Sequence, residues 1–140
     1  MVLIVEDEPI MAYGLKVRFE KWGFSQVEIV DNCHMANEYL HSYSPVLILI
    51  DVDSSNGDVC LDTAELYHQQ FATSVLFLSA FTVRLSPRKL KLISPYKRLS
   101  KPCRIDVLRQ AVEQMLLITL PLEEGSLEKN NPLHRSARLD

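Results

Sequence analysis

The chain has 140 residues, 47% hydrophobic and 24% charged, which is the size and balance of one folded domain with a real core. That balance excludes wholesale disorder, and a net charge of −3 argues against a general nucleic-acid binder. No apolar stretch approaches the ~20 residues a membrane span needs, and the opening run Met1–Val5 is cut off by Glu6-Asp7-Glu8. Neither a span nor a signal peptide is expected. Three cysteines, Cys33, Cys60 and Cys103, lie far apart, odd in number and in no CxxC spacing. They predict free thiols in a reducing cytoplasm and no disulfide framework.

In chain order, Val2-Leu3-Ile4-Val5 predicts a strand buried on both sides. Pro9 suits the first turn of a helix, whose inner face is expected to carry Met11, Leu15, Phe19 and Trp22, with Gly23 ending it. Val27–Val30 predicts a second strand, and Met35, Ala36, Tyr39 and Leu40 the apolar stripe of a second helix. Val46–Ile50 is the strongest strand. A polar loop over residues 51–57 then leads to Asp58, an expected N-cap for a helix burying Cys60, Ala64, Tyr67 and Phe71. Val75–Leu78 predicts a fourth strand, Ser86-Pro87 caps a short helix to about Ile93, and Tyr96–Leu99 a fifth strand. Ile105, Leu108, Ala111, Val112 and Met115 mark a last helix, stopped by Pro121. Five βα alternations predict an α/β fold, a doubly wound, five-stranded parallel sheet over residues 1–120. Residues 121–140 show no periodicity and are expected to form a flexible tail.

Charge is segregated along this pattern. Residues 1–65 hold 12 acids and 3 bases, whereas residues 66–105 hold 8 bases and no acid. A solvated face explains such segregation as readily as a binding surface does.

In open α/β sheets, ligands bind beyond the carboxyl ends of the strands. Glu6-Asp7, Asp51, Ser79 and Lys101 all fall at that edge. Each has a bland explanation alone, such as an acid at a helix start or a turn aspartate. Jointly, four elements place complementary groups together. Clustered carboxylates repel unless a cation intervenes, and an oxygen-only set suits Mg²⁺. His34, His41, His68 and His134 have no metal-ligand spacing, so zinc is not expected. A metal, a carboxylate nucleophile, a hydroxyl and a lysine make a phosphoryl-transfer constellation, with Asp51 attacking phosphorus. The four glycines form neither a P-loop nor a GxGxxG loop, so a nucleotide donor is not expected.

These residues resemble the response-regulator receiver domain of two-component signalling. Val2-Leu3-Ile4-Val5-Glu6-Asp7-Glu8-Pro9 is similar to its first strand and acid pair, and Leu47-Ile48-Leu49-Ile50-Asp51 to its phosphoacceptor strand. Phe77-Leu78-Ser79-Ala80 and Leu99-Ser100-Lys101-Pro102 resemble its later motifs, in the right order over roughly residues 1–120. The resemblance implies a flavodoxin-like (βα)5 fold and a cytoplasmic phosphoacceptor rather than an enzyme. Asp51 would take a phosphoryl group from a histidine kinase or histidine phosphotransfer protein. Asp7 and Asp51 would ligate Mg²⁺ with the Asp53 backbone carbonyl, Glu6 helping through water, while Ser79, the Ala80 amide and Lys101 hold the phosphoryl oxygens. Phosphorylation would then rearrange the face of helix four, strand five and helix five.

Four departures from the family pattern stand out. Arg98 replaces the usual aromatic three before the lysine, Asp53-Ser54-Ser55-Asn56-Gly57 replaces the usual Pro and Gly loop, Asp53 adds a negative side chain, and the stretch from Ser79 to Lys101 is short. Arg98 is costly to bury and is therefore expected at the surface. With Arg84, Arg88 and Lys91 it would form the interaction surface, meeting an acidic downstream partner or another copy. With no output domain expected after residue 120, the resemblance implies a stand-alone receiver or a fragment of a longer protein. No direct nucleic-acid or membrane partner is expected. Two rivals remain. Asp51-Val52-Asp53-Ser54-Ser55 also resembles the nucleophile loop of haloacid dehalogenase-like phosphatases, though their second acid pair comes late in the chain. A pseudo-receiver would use the fold as a binding module without phosphorylation.

Overall fold

The computed structural model describes residues 1–80 and 82–122. Strands β1 (Val2–Val5), β2 (Val27–Val30), β3 (Leu47–Val52), β4 (Ser74–Ser79) and β5 (Tyr96–Ser100) alternate with helices α1 (Pro9–Lys21), α2 (Cys33–Glu38), α3 (Gly57–Phe71), α4 (Pro87–Lys91) and α5 (Ile105–Leu116). All strands are parallel, in the order β2-β1-β3-β4-β5. This is the doubly wound five-stranded parallel sheet that the alternation predicts, in the flavodoxin-like order that the resemblance implies.

Alternation of side chains along the central strands divides the core in two. Leu3, Val5, Ile48, Ile50, Val75 and Phe77 pack against α2, α3 and α4 through Ala36, Cys60, Ala64, Tyr67 and Leu90. Val2, Ile4, Leu47, Leu49, Leu76 and Leu78 pack against α1 and α5 through Phe19, Trp22, Leu108 and Val112. Helices on both faces explain why the strands read as continuous apolar runs. Leu120 closes the second core, its amide donating to Glu113 Oε2 at 2.8 Å. Beyond it Pro121 and Leu122 are exposed, and the rest of the expected tail, from residue 123, lies outside the described residues. No helix among the described residues is long and apolar enough to cross a membrane.

Several local expectations shift. Met11 is exposed and Ala12 takes the inward position on α1, because that helix presents only a narrow stripe to β1 and β2. β3 runs on through Asp51 and Val52, since both pair with β4, so Asp51 sits in the strand rather than opening the loop. Asn56, not Asp58, occupies the N-cap of α3, and Asp58 lies in the first turn. α4 is only five residues, capped by Ser86, whose hydroxyl accepts the Lys89 amide at 3.3 Å. The cysteine expectation is overturned. Cys33 and Cys60, 27 residues apart in sequence, form a disulfide with Cα atoms 5.5 Å apart. Packing of α2 on α3 brings them together, which sequence spacing alone could not show. Cysteine usage therefore carries no argument for a reducing compartment. Cys103 is free.

Candidate functional site

Parallel pairing sends the ends of β1, β3 and β4 and the start of the β5–α5 link to one edge. Glu6 follows β1, its amide donating to the Val30 carbonyl at 3.0 Å. Its carboxylate is buried and accepts the Glu8 amide at 3.1 Å. Burial, then the nearby Asp51, outweigh that hydrogen bond and push the Glu6 carboxyl up to about 7. Glu8 plays the bland role, capping α1 by accepting the Ile10 amide at 2.7 Å.

One carboxylate oxygen from each of Glu6, Asp7 and Asp51 lies within 4.8 Å of the others. Lys101 Nζ approaches Asp51 Oδ1 to 2.5 Å across 50 residues of chain. That hydrogen bond raises the Lys101 pKa and keeps its ammonium charged. Three acids against one ammonium leave the cluster net negative, and an all-oxygen donor set fits a hard divalent cation.

Asp53 lies on the same cleft, but its carboxylate is turned to its own loop. It accepts the Ser55 amide at 2.8 Å and the Ser55 hydroxyl at 2.6 Å, which hold it below the usual carboxylate range. The Asp53 amide donates to Asn56 Oδ1 at 2.9 Å, so Asn56 shapes the turn. Asp31 also lines this cleft. Sequence reasoning missed Asp31, although the strand-end rule applied to β2 points to it as readily as to Asp51.

Ser79, fully buried at the end of β4, is tied to Lys101 by the Lys101 amide, which donates to the Ser79 carbonyl at 3.0 Å. Arg98 does not stay at the surface. Its Nε donates to Ser79 Oγ at 2.9 Å, and Nη2 donates to the carbonyls of Ala80, at 3.4 Å, and Val83. Three acceptors, one at the end of β4 and two in the link after it, offset the cost of half-burying the guanidinium, so the expectation from charge alone fails. Arg84, Arg88 and Lys91 are exposed as expected, while Lys89 pairs with Asp62 at 3.1 Å.

Comparison with known proteins agrees with this geometry. The family model of the response regulator receiver domain matches residues 2–113. The N-terminal domain of a response regulator/sensory box/GGDEF 3-domain protein from Carboxydothermus hydrogenoformans is 30% identical. That match covers 83% of this chain and 93% of that one, with a TM-score of 0.71. The signal receiver domain of a signal transduction histidine kinase from Syntrophus aciditrophicus is 29% identical over 83% of this chain and 89% of that one, with a TM-score of 0.65. The receiver domain of the PhyR response regulator from Erythrobacter litoralis is 25% identical over 87% and 93%, with a TM-score of 0.66. No curated protein matches the chain. The phosphatase-like alternative falls with the family match.

Proposed function

This chain belongs to the response regulator receiver domain family, and we propose that Asp51 is its phosphoacceptor in a two-component relay. The observation that carries the reading is the position of Asp51, within 4.8 Å of two further carboxylates and 2.5 Å from the Lys101 ammonium. From a phosphohistidine of a kinase or phosphotransfer protein, an Asp51 oxygen forms a P–O bond as the P–N bond breaks. The imidazole leaves, and the product is an acyl phosphate. Lys101 and the Ser79 hydroxyl stabilise the equatorial oxygens, with the Ala80 amide as a further donor.

Asp7 and Asp51, the Asp53 carbonyl and, through water, Glu6 would hold Mg²⁺. When bound, the ion neutralises the clustered carboxylates and the incoming phosphoryl charge. Asp51 is a single-turnover acceptor with slow self-hydrolysis, not a catalyst of repeated turnover. Arg84, Arg88 and Lys91 supply an output face for an acidic downstream partner or a second copy, and the protein works in the cytoplasm.

The rival reading is a binding module that uses the same fold without phosphorylation. Labelling separates the two. Intact mass after incubation with a small acyl phosphate and Mg²⁺ is expected to rise by one phosphoryl group. The gain should vanish with EDTA and in Asp51→Asn. An unlabelled wild type, or a labelled Asp51→Asn, overturns the phosphoacceptor.

A further inference from the structure

Arg98 and Ser79 lie on adjacent strands, β5 and β4, and the half-buried Arg98 side chain turns in to meet the buried Ser79 hydroxyl. A guanidinium only donates hydrogen bonds, so at 2.9 Å the Ser79 hydroxyl must accept from Arg98 Nε. That choice occupies one lone pair of Oγ and leaves the hydroxyl proton to donate elsewhere. A positive donor on the oxygen also polarises the O–H bond, as in a hydrogen-bonded chain. Ser79 is fully buried, which strengthens the effect relative to water.

We propose that Arg98 is a positioning residue that sets Ser79 as a hydrogen-bond donor toward a phosphoryl group on Asp51. This rests on the phosphoacceptor reading and adds a residue to it. The same guanidinium holds the carbonyls of Ala80 and Val83, so the donor is braced by the β4–α4 link on its far side. A neutral aromatic could not do either. The planar fork of Arg98 is required because one group reaches a hydroxyl through Nε and carbonyls through Nη2 at once.

The test is a double-mutant cycle on the rate of Asp51 labelling by a small acyl phosphate, with Mg²⁺ and donor concentrations varied. Arg98→Gln is expected to lower the maximal rate about tenfold, within the range of coupling between contacting residues. The half-saturating Mg²⁺ concentration should not move. In a Ser79→Ala background, Arg98→Gln should change the rate less than about twofold, since the group it positions is gone. Arg98→Lys keeps the charge without the fork and should behave like Arg98→Gln. Additive losses, or full rescue by lysine, overturn the proposal while leaving labelling of Asp51 intact. In the wild type, the Arg98 Nε–H nuclear magnetic resonance signal should shift on phosphorylation, and an unmoved signal also overturns it. A wild type that takes no label overturns the phosphoacceptor itself, and the positioning role with it.

Discussion

Lys101 Nζ lies 2.5 Å from Asp51 Oδ1, joining the end of β3 to the link after β5. Both side chains keep some exposure, 35% for Lys101 and 17% for Asp51, so the pair contributes ~0.2–1 kcal/mol to stability. Repulsion from the two carboxylates within 4.8 Å acts in the opposite sense, and once Glu6 is ionised, above about pH 7, two like charges outweigh the single ammonium. Asp51→Asn should therefore stabilise the metal-free protein by about 1 kcal/mol and raise its melting temperature by a few degrees. A lower melting temperature would mean that the Lys101 pair wins.

Glu6 gives the cluster a pH dependence with a definite sign. Its folded pKa, about 7, lies above the 4.5 of an unperturbed glutamate, because burial favours the neutral form. The stability that the neutral form contributes is complete below pH 4.5 and is lost as pH rises through about 7. Thermal unfolding without metal should therefore show falling stability from pH 5 to pH 8. Mg²⁺ should flatten that fall by favouring the ionised carboxylate, and Glu6→Gln should abolish the Glu6 part of it. A stability that rises across this interval in wild type and not in Glu6→Gln would contradict the assignment.

The Cys33–Cys60 link closes a loop of 27 residues between α2 and α3. Chain entropy gives a loop of that size up to about 3–4 kcal/mol of stabilisation. Denaturation in urea with and without reductant should show a loss of that order, absent in Cys33→Ser/Cys60→Ser. Equal midpoints in both conditions would mean that the two sulfurs do not constrain the unfolded chain.

Ser86 caps α4 through the Lys89 amide, and the helix has only five residues to hold it. Ser86→Ala should cost about 1 kcal/mol, and the loss should appear first in amide exchange of residues 89–92. Unchanged exchange there would show that the buried Leu90 and Ile93 alone fix the segment.

Much of this fold was legible because apolar runs and helical stripes agree at every level. Val2–Val5 and Leu47–Ile50 have no polar residue to spoil a strand buried on both sides, and Gly23, at φ +103°, does end α1. The strand-end rule placed Glu6, Asp7, Asp51, Ser79 and Lys101 at one edge, where the structure has them. Contacts between distant residues were not legible. Spacing says nothing of Cys33 meeting Cys60, and a charge-burial argument misplaced Arg98 because two of the three acceptors that receive it are backbone carbonyls. Nothing in side-chain chemistry announces those.

The most direct measurement is borohydride reduction of protein treated with a small acyl phosphate and Mg²⁺, followed by peptide mass spectrometry. An acyl phosphate at Asp51 is reduced to homoserine, so the peptide containing residue 51 should carry that change and no other acidic position should. Homoserine at Asp7 or Asp53 instead, or none in protein that has gained a phosphoryl group, would contradict Asp51 as the acceptor.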